Sequence, residues 1–260
     1  MRKITFIGTG HGMPRQSLSS SLLIECGEHK LLVDVSDGGG VSRNLIQAGV
    51  EPSSIDSVFI THSDSDHITG IINLIRWFSR DVRPRKIYGL APTLESAKTI
   101  IEAVESRALG KLGDSIEFTE VKEGDEITIG NMNVKILYHR NSKTPQAGLL
   151  AIFPDGYKLA VIGDEPIKEN FKNIIKDVDL LIHEAFCLDS EIEMHDPHSK
   201  HHVTAKEAAV LAKEINAKKL ALWHMEDQTL ETRKQIYFDE VKTAYDGNVF
   251  IPIDGDSFEF

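Results

Sequence analysis

Apolar runs of strand length end repeatedly on a single histidine or aspartate. Residues 57–60 lead into Thr61-His62, 133–138 into His139, 158–162 into Gly163-Asp164, 180–182 into His183, and 220–223 into His224. One polar residue at a strand end is unremarkable. Five of them, each after a separate apolar run, require the strand ends to converge on one edge, where loops build a site. The demand is strongest at His62-Ser63-Asp64-Ser65-Asp66-His67, with four potential ligands in six residues. Imidazole and carboxylate suit a divalent transition metal. Four such groups exceed what one ion needs from one loop. This loop is therefore expected to feed two ions, completed by residues further along.

The rest of the pattern supports a layered α/β fold. Strands are expected over 3–7, 22–25, 31–35 and 57–60, with a helix over 41–48. Five more strands are expected over 116–121, 126–129, 133–138, 149–153 and 158–162, after a helix that follows Pro92. The last part alternates: helix 167–175, strand 180–183, helix 204–215, strand 220–223, helix 231–245. No repeat or linker interrupts the chain. Two mixed sheets packed together with helices outside, in one domain over 1–260, account for this order. Residues 69–79 are apolar on nearly every helical face, so that helix must be covered on more than one side.

Composition narrows the function. The chain has 260 residues and a formal net charge of −11, which lacks the basic footprint of a protein that grips long nucleic acid. A small anionic substrate remains compatible with it. Two cysteines, Cys26 and Cys187, cannot form a disulfide framework and fit a reducing, cytoplasmic setting. No apolar stretch approaches the roughly 20 residues of a membrane helix.

These residues resemble the metallo-β-lactamase fold hydrolases, whose pattern is His-x-His-x-Asp-His after a strand, then a distant His, an Asp and a final His. Here it reads His62-x-Asp64-x-Asp66-His67, then His139, Asp164 and His224. The resemblance implies a four-layer αββα sandwich. It implies one metal held by His62, Asp64 and His139, and a second by Asp66, His67 and His224. Asp164 would bridge them, with a shared water or hydroxide as nucleophile. Asp34, at a strand end, matches a family aspartate that supports the metal loop. Zinc is the default, but Asp64 replaces a histidine, and its harder carboxylate shifts preference toward Mn or Fe.

Leu181-Ile182-His183-Glu184-Ala185-Phe186 is similar to the His-Glu-Ala segment of ribonuclease Z, and His202-Val203-Thr204 to its later His-Ser-Thr segment. Carried over, Glu184 orients His202, which protonates the leaving oxygen, and Glu184, His202 and Asp66 form the catalytic set. Only 25 residues separate His139 from Asp164, whereas ribonuclease Z inserts a long tRNA-holding arm there. A compact phosphodiesterase acting on a small phosphodiester such as a cyclic nucleotide is therefore the preferred expectation. Short members of this branch, including phage enzymes that destroy cyclic-nucleotide signals, do this. A short RNA-processing nuclease is the alternative, followed by a diiron redox protein or a nucleotide-sequestering binder. Arg15 and Arg140 adjoin matched segments and could hold phosphate. Trp77, Phe78 and Tyr88 could line a base slot. Relatives often pair as homodimers, which would cover the helix over 69–79. The histidines of 195–201 read as a lid, and His11 as a residue near the site.

Overall fold

The computed structural model describes residues 2–140 and 144–260, with the backbone alone of His139 and Arg140. The described residues form two seven-stranded sheets stacked face to face. The first contains β1 (Arg2–Gly8), β2 (Ser21–Cys26), β3 (His29–Val33), β4 (Ser57–Phe59), β5 (Arg85–Gly89) and β6 (Ile116–Glu120). The second contains β7 (Glu126–Ile129), β8 (Met132–Arg140), β9 (Pro145–Ile152), β10 (Lys158–Val161), β11 (Leu180–Glu184), β12 (Lys219–Trp223) and β13 (Asn248–Phe250). The last strand, β14 (Ser257–Glu259), returns to the first sheet beside β1. Each sheet is antiparallel on one side and parallel on the other. Strands β3 to β6 run parallel, as do β10 to β13.

Period-two alternation sorts the apolar side chains. Ile4, Phe6, Leu22, Ile24, Ala221 and Trp223 enter the core between the sheets. Leu23 and Leu32 of the first sheet, and Leu220 and Leu222 of the second, point outward under helices. Both faces of each sheet are thus buried, which is why these strands read as continuous apolar runs. Helices α1 (Gly40–Gln47), α2 (Ser65–Ile68), α3 (Ile71–Phe78) and α4 (Ala91–Leu112) lie over the first sheet. Beyond α5 (Glu169–Lys172) and α6 (Ile192–His195), α7 (Ala205–Glu214) and α8 (Arg233–Lys242) cover the second. The result is the expected αββα sandwich. Among the described residues no helix is long and apolar enough to cross a membrane.

Several elements depart from the sequence reading. Strand β5 was hidden because its Arg85 and Lys86 break the apolar pattern. Arg85 is nevertheless buried, its guanidinium donating to the carbonyls of Ile55 (3.0 Å) and Asp81 (2.7 Å) and lying over the Phe78 ring. Strands β13 and β14 are three residues each, too short for a periodic signal. The helix expected over 167–175 shrinks to one turn, with Phe171 as its buried anchor. The helix expected over 69–79 is α3, which buries Ile71, Leu74, Ile75 and Phe78 on the sheet and leaves Ile72 and Trp77 half-buried.

Gly70, between α2 and α3, lets the ligand loop sit close. Val35 N–H donates to the His67 carbonyl (2.9 Å) and Gly70 N–H to that of Ser36 (3.0 Å). A β-carbon at position 70 would lie 1.7 Å from the Val35 carbonyl oxygen, which is fixed backbone. Gly70→Ala is expected to lower unfolding stability by roughly 3 kcal/mol, read as a drop in urea midpoint at unchanged m-value. An unchanged midpoint would contradict this close approach.

Candidate functional site

The parallel strands of both sheets end on the same edge of the sandwich, where ligands bind in open α/β sheets. From the first sheet, β4 delivers Thr61 and His62, and α2 delivers Asp66 and His67. From the second, β10 leads to Asp164, β11 ends at Glu184 and β12 leads to His224.

Asp34, fully buried after β3, organises the first group. Its Oδ1 accepts the Thr61 N–H at 2.8 Å, and its Oδ2 accepts from the Thr61 hydroxyl (2.8 Å) and from His67 Nδ1 (2.7 Å). Thr61 Oγ1 also meets His62 Nδ1 at 2.9 Å. With both Nδ1 atoms engaged, both Nε2 atoms turn into one space. His62 Nε2, His67 Nε2 and Asp164 Oδ1 are buried there without a hydrogen-bond partner among the described residues.

The spacing explains why. His62 Nε2 is 3.4 Å from Asp164 Oδ1, and His67 Nε2 is 3.2 Å from Asp66 Oδ2 and 3.6 Å from Asp164 Oδ2. His224 Nε2 is 3.4 Å from Asp66 Oδ2 and 3.6 Å from Asp164 Oδ2. Donor atoms about 2.1 Å from a tetrahedral ion stand about 3.4 Å from one another. Three overlapping groups have this character: His62, His67 and Asp164; Asp66, His67 and His224; Asp164, His202 and His224. The donor set and its orphaned buried atoms fit divalent ions, and metallo-β-lactamase fold hydrolases use such ions.

Without ions the cluster holds charge by mutual attraction. Burial opposes ionisation of Asp66 and Asp164, but the facing histidines hold both far below the usual carboxylate range. Burial likewise opposes charge on His224, yet hydrogen bonding to Asp66 and Glu184 lifts it to about 9. His67 is raised well above its ordinary value, as Asp66, Asp34 and Asp164 outweigh burial. His62 is lowered, mainly by burial. Glu165 is pushed up to about 8 by burial and by Asp164. His224 itself takes a left-handed backbone (φ 50°), a cost of about 1 kcal/mol or more that marks a position fixed for its side chain.

A second unit stands against this cluster. Glu184 is fully buried; its Oε2 accepts from His202 Nδ1 at 2.8 Å and its Oε1 accepts the Val203 N–H at 3.1 Å. The Phe186 ring stacks on His202, 4.5 Å away and within 6° of parallel. The His202 and His224 ring centres are 5.1 Å apart. His11 packs on Phe186 at 5.0 Å, its pKa lowered to about 4, chiefly by burial.

Asp64 sits at the rim with its side chain 45% exposed, its Oδ2 3.7 Å from His62 Nε2 and its Oδ1 accepting from Thr144 Oγ1. The side chains expected at His139 and Arg140 lie outside the described residues. Arg15 is exposed, and its backbone N–H donates to Asp227. Phe78 and Tyr88 are buried in the two cores of the first sheet, and Trp77 is half-buried under Arg80. In the segment expected as a lid, His195 lies 3.8 Å from Glu191 and His198 pairs with Glu207 at 3.0 Å. Sequence reasoning missed Thr61, Glu165 and Phe186. Each adjoins or nearly adjoins a flagged residue, but nothing in residue type alone distinguishes an orienting hydroxyl or a stacked ring.

Two outcomes follow from the ligand geometry. Asp34→Asn is expected to weaken metal affinity about 10–100-fold, measured by competition with a chromophoric chelator; unchanged affinity would contradict the orienting role of Asp34. The facing carboxylates favour the protonated forms of His67 and His224, and ligation needs their neutral forms, so metal binding is expected to release protons, read by calorimetry in buffers of different ionisation enthalpy.

A sequence profile for the Anti-Pycsar protein Apyc1 matches residues 2–244. Ribonuclease Z of Archaeoglobus fulgidus is 25% identical, over 95% of this chain and 94% of that one. In fold, the chain resembles the metallo-β-lactamase fold protein YhfI of Bacillus subtilis (TM-score 0.79, 24% identity, covering 99% and 98%). It also resembles the short form of human tRNase Z (TM-score 0.77, 22% identity, covering 99% and 98%). The protein is a metal-dependent hydrolase of the metallo-β-lactamase fold, similar to ribonuclease Z. With the profile running through every strand-end residue from Asp34 to His224, the chain belongs to the Anti-Pycsar protein Apyc1 family.

Proposed function

We propose that this protein is a phosphodiesterase that opens a small phosphodiester, a cyclic nucleotide foremost, with His202 as general acid. The observation that carries this reading is the Glu184–His202 pair standing at ligand distance from Asp164 and His224. His62, Asp64 and His139 would hold one ion and Asp66, His67 and His224 the other, with Asp164 between them. Zinc is the default occupant, and manganese or iron are the alternatives that Asp64 suggests. Such ions would supply an activated water and neutralise phosphate charge.

The chain's own residues do the rest. Glu184 accepts from His202 Nδ1, so that the imidazolium form would pass its Nε2 proton to the departing alkoxide and be left as the neutral Nδ1–H tautomer. Phe186 and buried Glu184 hold the ring in one plane. Arg15 and Arg140 are proposed to draw the phosphate in. Family membership and the short sequence interval between His139 and Asp164 support a compact substrate. The ribonuclease Z relative supports the second reading, an RNA-processing nuclease. We further propose that the chain works in the cytoplasm as one domain, paired into a homodimer through the half-buried Ile72 and Trp77 face; light scattering at micromolar concentration tests the pairing.

His202→Ala is expected to retain its metal and lose roughly 10²–10⁴-fold in turnover on 3′,5′- or 2′,3′-cyclic nucleotides. Full activity in that variant would refute the acid assignment. Faster cleavage of a labelled tRNA precursor than of any cyclic nucleotide would favour the second reading.

A further inference from the structure

His11 stands at the ligand cluster without belonging to any of its three groups. Its N–H donates to the carbonyl of Met225, the residue after His224, at 3.1 Å. The next residue, Gly12, packs so closely that a β-carbon there would lie 3.3 Å from Asp66 Oδ2. The His11 ring packs on Phe186, the ring that also stacks on His202. Its loop is pinned on both sides. Asp254 accepts the N–H groups of Thr9 (3.0 Å) and Leu18 (2.6 Å), and Asp227 those of Arg15 (2.7 Å) and Ser17 (2.8 Å). Hydrogen bonding also settles what the ring can offer. Met13 N–H donates to His11 Nδ1 at 3.2 Å. A ring nitrogen that accepts carries no proton, so the neutral ring holds its proton on Nε2. That Nε2–H has no acceptor among the described residues. His11 is a neutral donor, held in place beside the segments that carry Asp66 and His224.

We infer that His11 contacts the substrate, its Nε2–H donating to a phosphate oxygen that stays on phosphorus when the ester bond breaks. This rests on the phosphodiesterase reading above. A phosphate held over Asp66 and His224 lies beside a ring seated on the segments that carry both. Attack at phosphorus concentrates negative charge on the oxygens that remain. A donor already aimed at one of them gains strength as that charge grows, and so favours the transition state over the bound substrate. A neutral imidazole suits this place, because unlike lysine or arginine it does not repel cations held by the neighbouring carboxylates. No proton leaves Nε2 in this role. His11 therefore differs from His202, which gives its proton to the departing oxygen, although both rings meet Phe186.

The test compares metal-loaded wild type, His11→Ala and His11→Gln on 3′,5′-cyclic AMP and on its Rp and Sp phosphorothioates, in which sulfur replaces one or the other non-bridging oxygen. His11→Ala is expected to keep its metal content and to lose about tenfold or more in kcat on cyclic AMP. The loss should shrink to about threefold or less on one of the two phosphorothioates, because sulfur accepts a hydrogen bond weakly. His11→Gln, whose amide nitrogen can stand where Nε2 stood, should recover most of the rate. Equal loss on all three substrates would mark a merely structural residue and overturn the contact, and so would no loss at all. Ring-nitrogen NMR of the wild type needs neither turnover nor a variant: a proton on Nε2 is expected, and a proton on Nδ1 would also overturn the contact. Failure of the wild type to hydrolyse cyclic AMP and both phosphorothioates would instead overturn the phosphodiesterase reading, and the contact with it.

Discussion

The carboxylate of Asp34 is the constraint on which the site depends. It is buried and sits at a left-handed backbone position, and it accepts from a backbone amide, a hydroxyl and an imidazole. A buried charge is tolerable only when its lone pairs are met. Here the groups that meet them belong to the ligand loop. Satisfying Asp34 and aiming His62 and His67 are therefore one event. A change that spares every ligand but disturbs this pairing leaves the imidazoles free to rotate, and the inward array of Nε2 atoms is lost.

Much of this edge was legible in the sequence because polar residues interrupt apolar runs only where a run stops. His62, Asp66, His67, Asp164 and His224 are visible for that reason, as are Glu184 and His202 through their segments. Asp34 was visible by its place after Val33, but the two groups of Thr61 that meet it were not, since a hydroxyl or amide partner leaves no trace in residue type. Asp64 is grouped with the ligands by spacing, and the fold sets it at their rim, its Oδ2 3.7 Å from His62 Nε2, as the residue just before the helix that carries Asp66 and His67 inward.

The fold was legible where alternation was clean and hidden where a charge was buried with private partners. Strand β5 is the clearest case. Arg85 spends its guanidinium on backbone carbonyls and an aromatic face, so the strand belongs to the core despite its composition. The aromatic trio Trp77, Phe78 and Tyr88 shows the same limit from the other side. Their chemistry suits a nucleobase, but their phase on the helix and strand turns them toward the cores or onto a neighbouring arginine.

The seam between the two sheets has a mechanical consequence. Asp34, His62, Asp66 and His67 belong to one sheet's half, and Asp164, Glu165, Glu184 and His224 to the other's. At the edge of the sandwich, acidic groups from both halves face one another. Ions bound across that line would act as rivets, converting ligand affinity into cohesion between the layers. Their loss would leave each sheet's ladder intact and reduce the cohesion across the seam to the attraction between its histidines and carboxylates. A metal-loaded molecule is therefore expected to resist separation of its layers more than the same chain without ions.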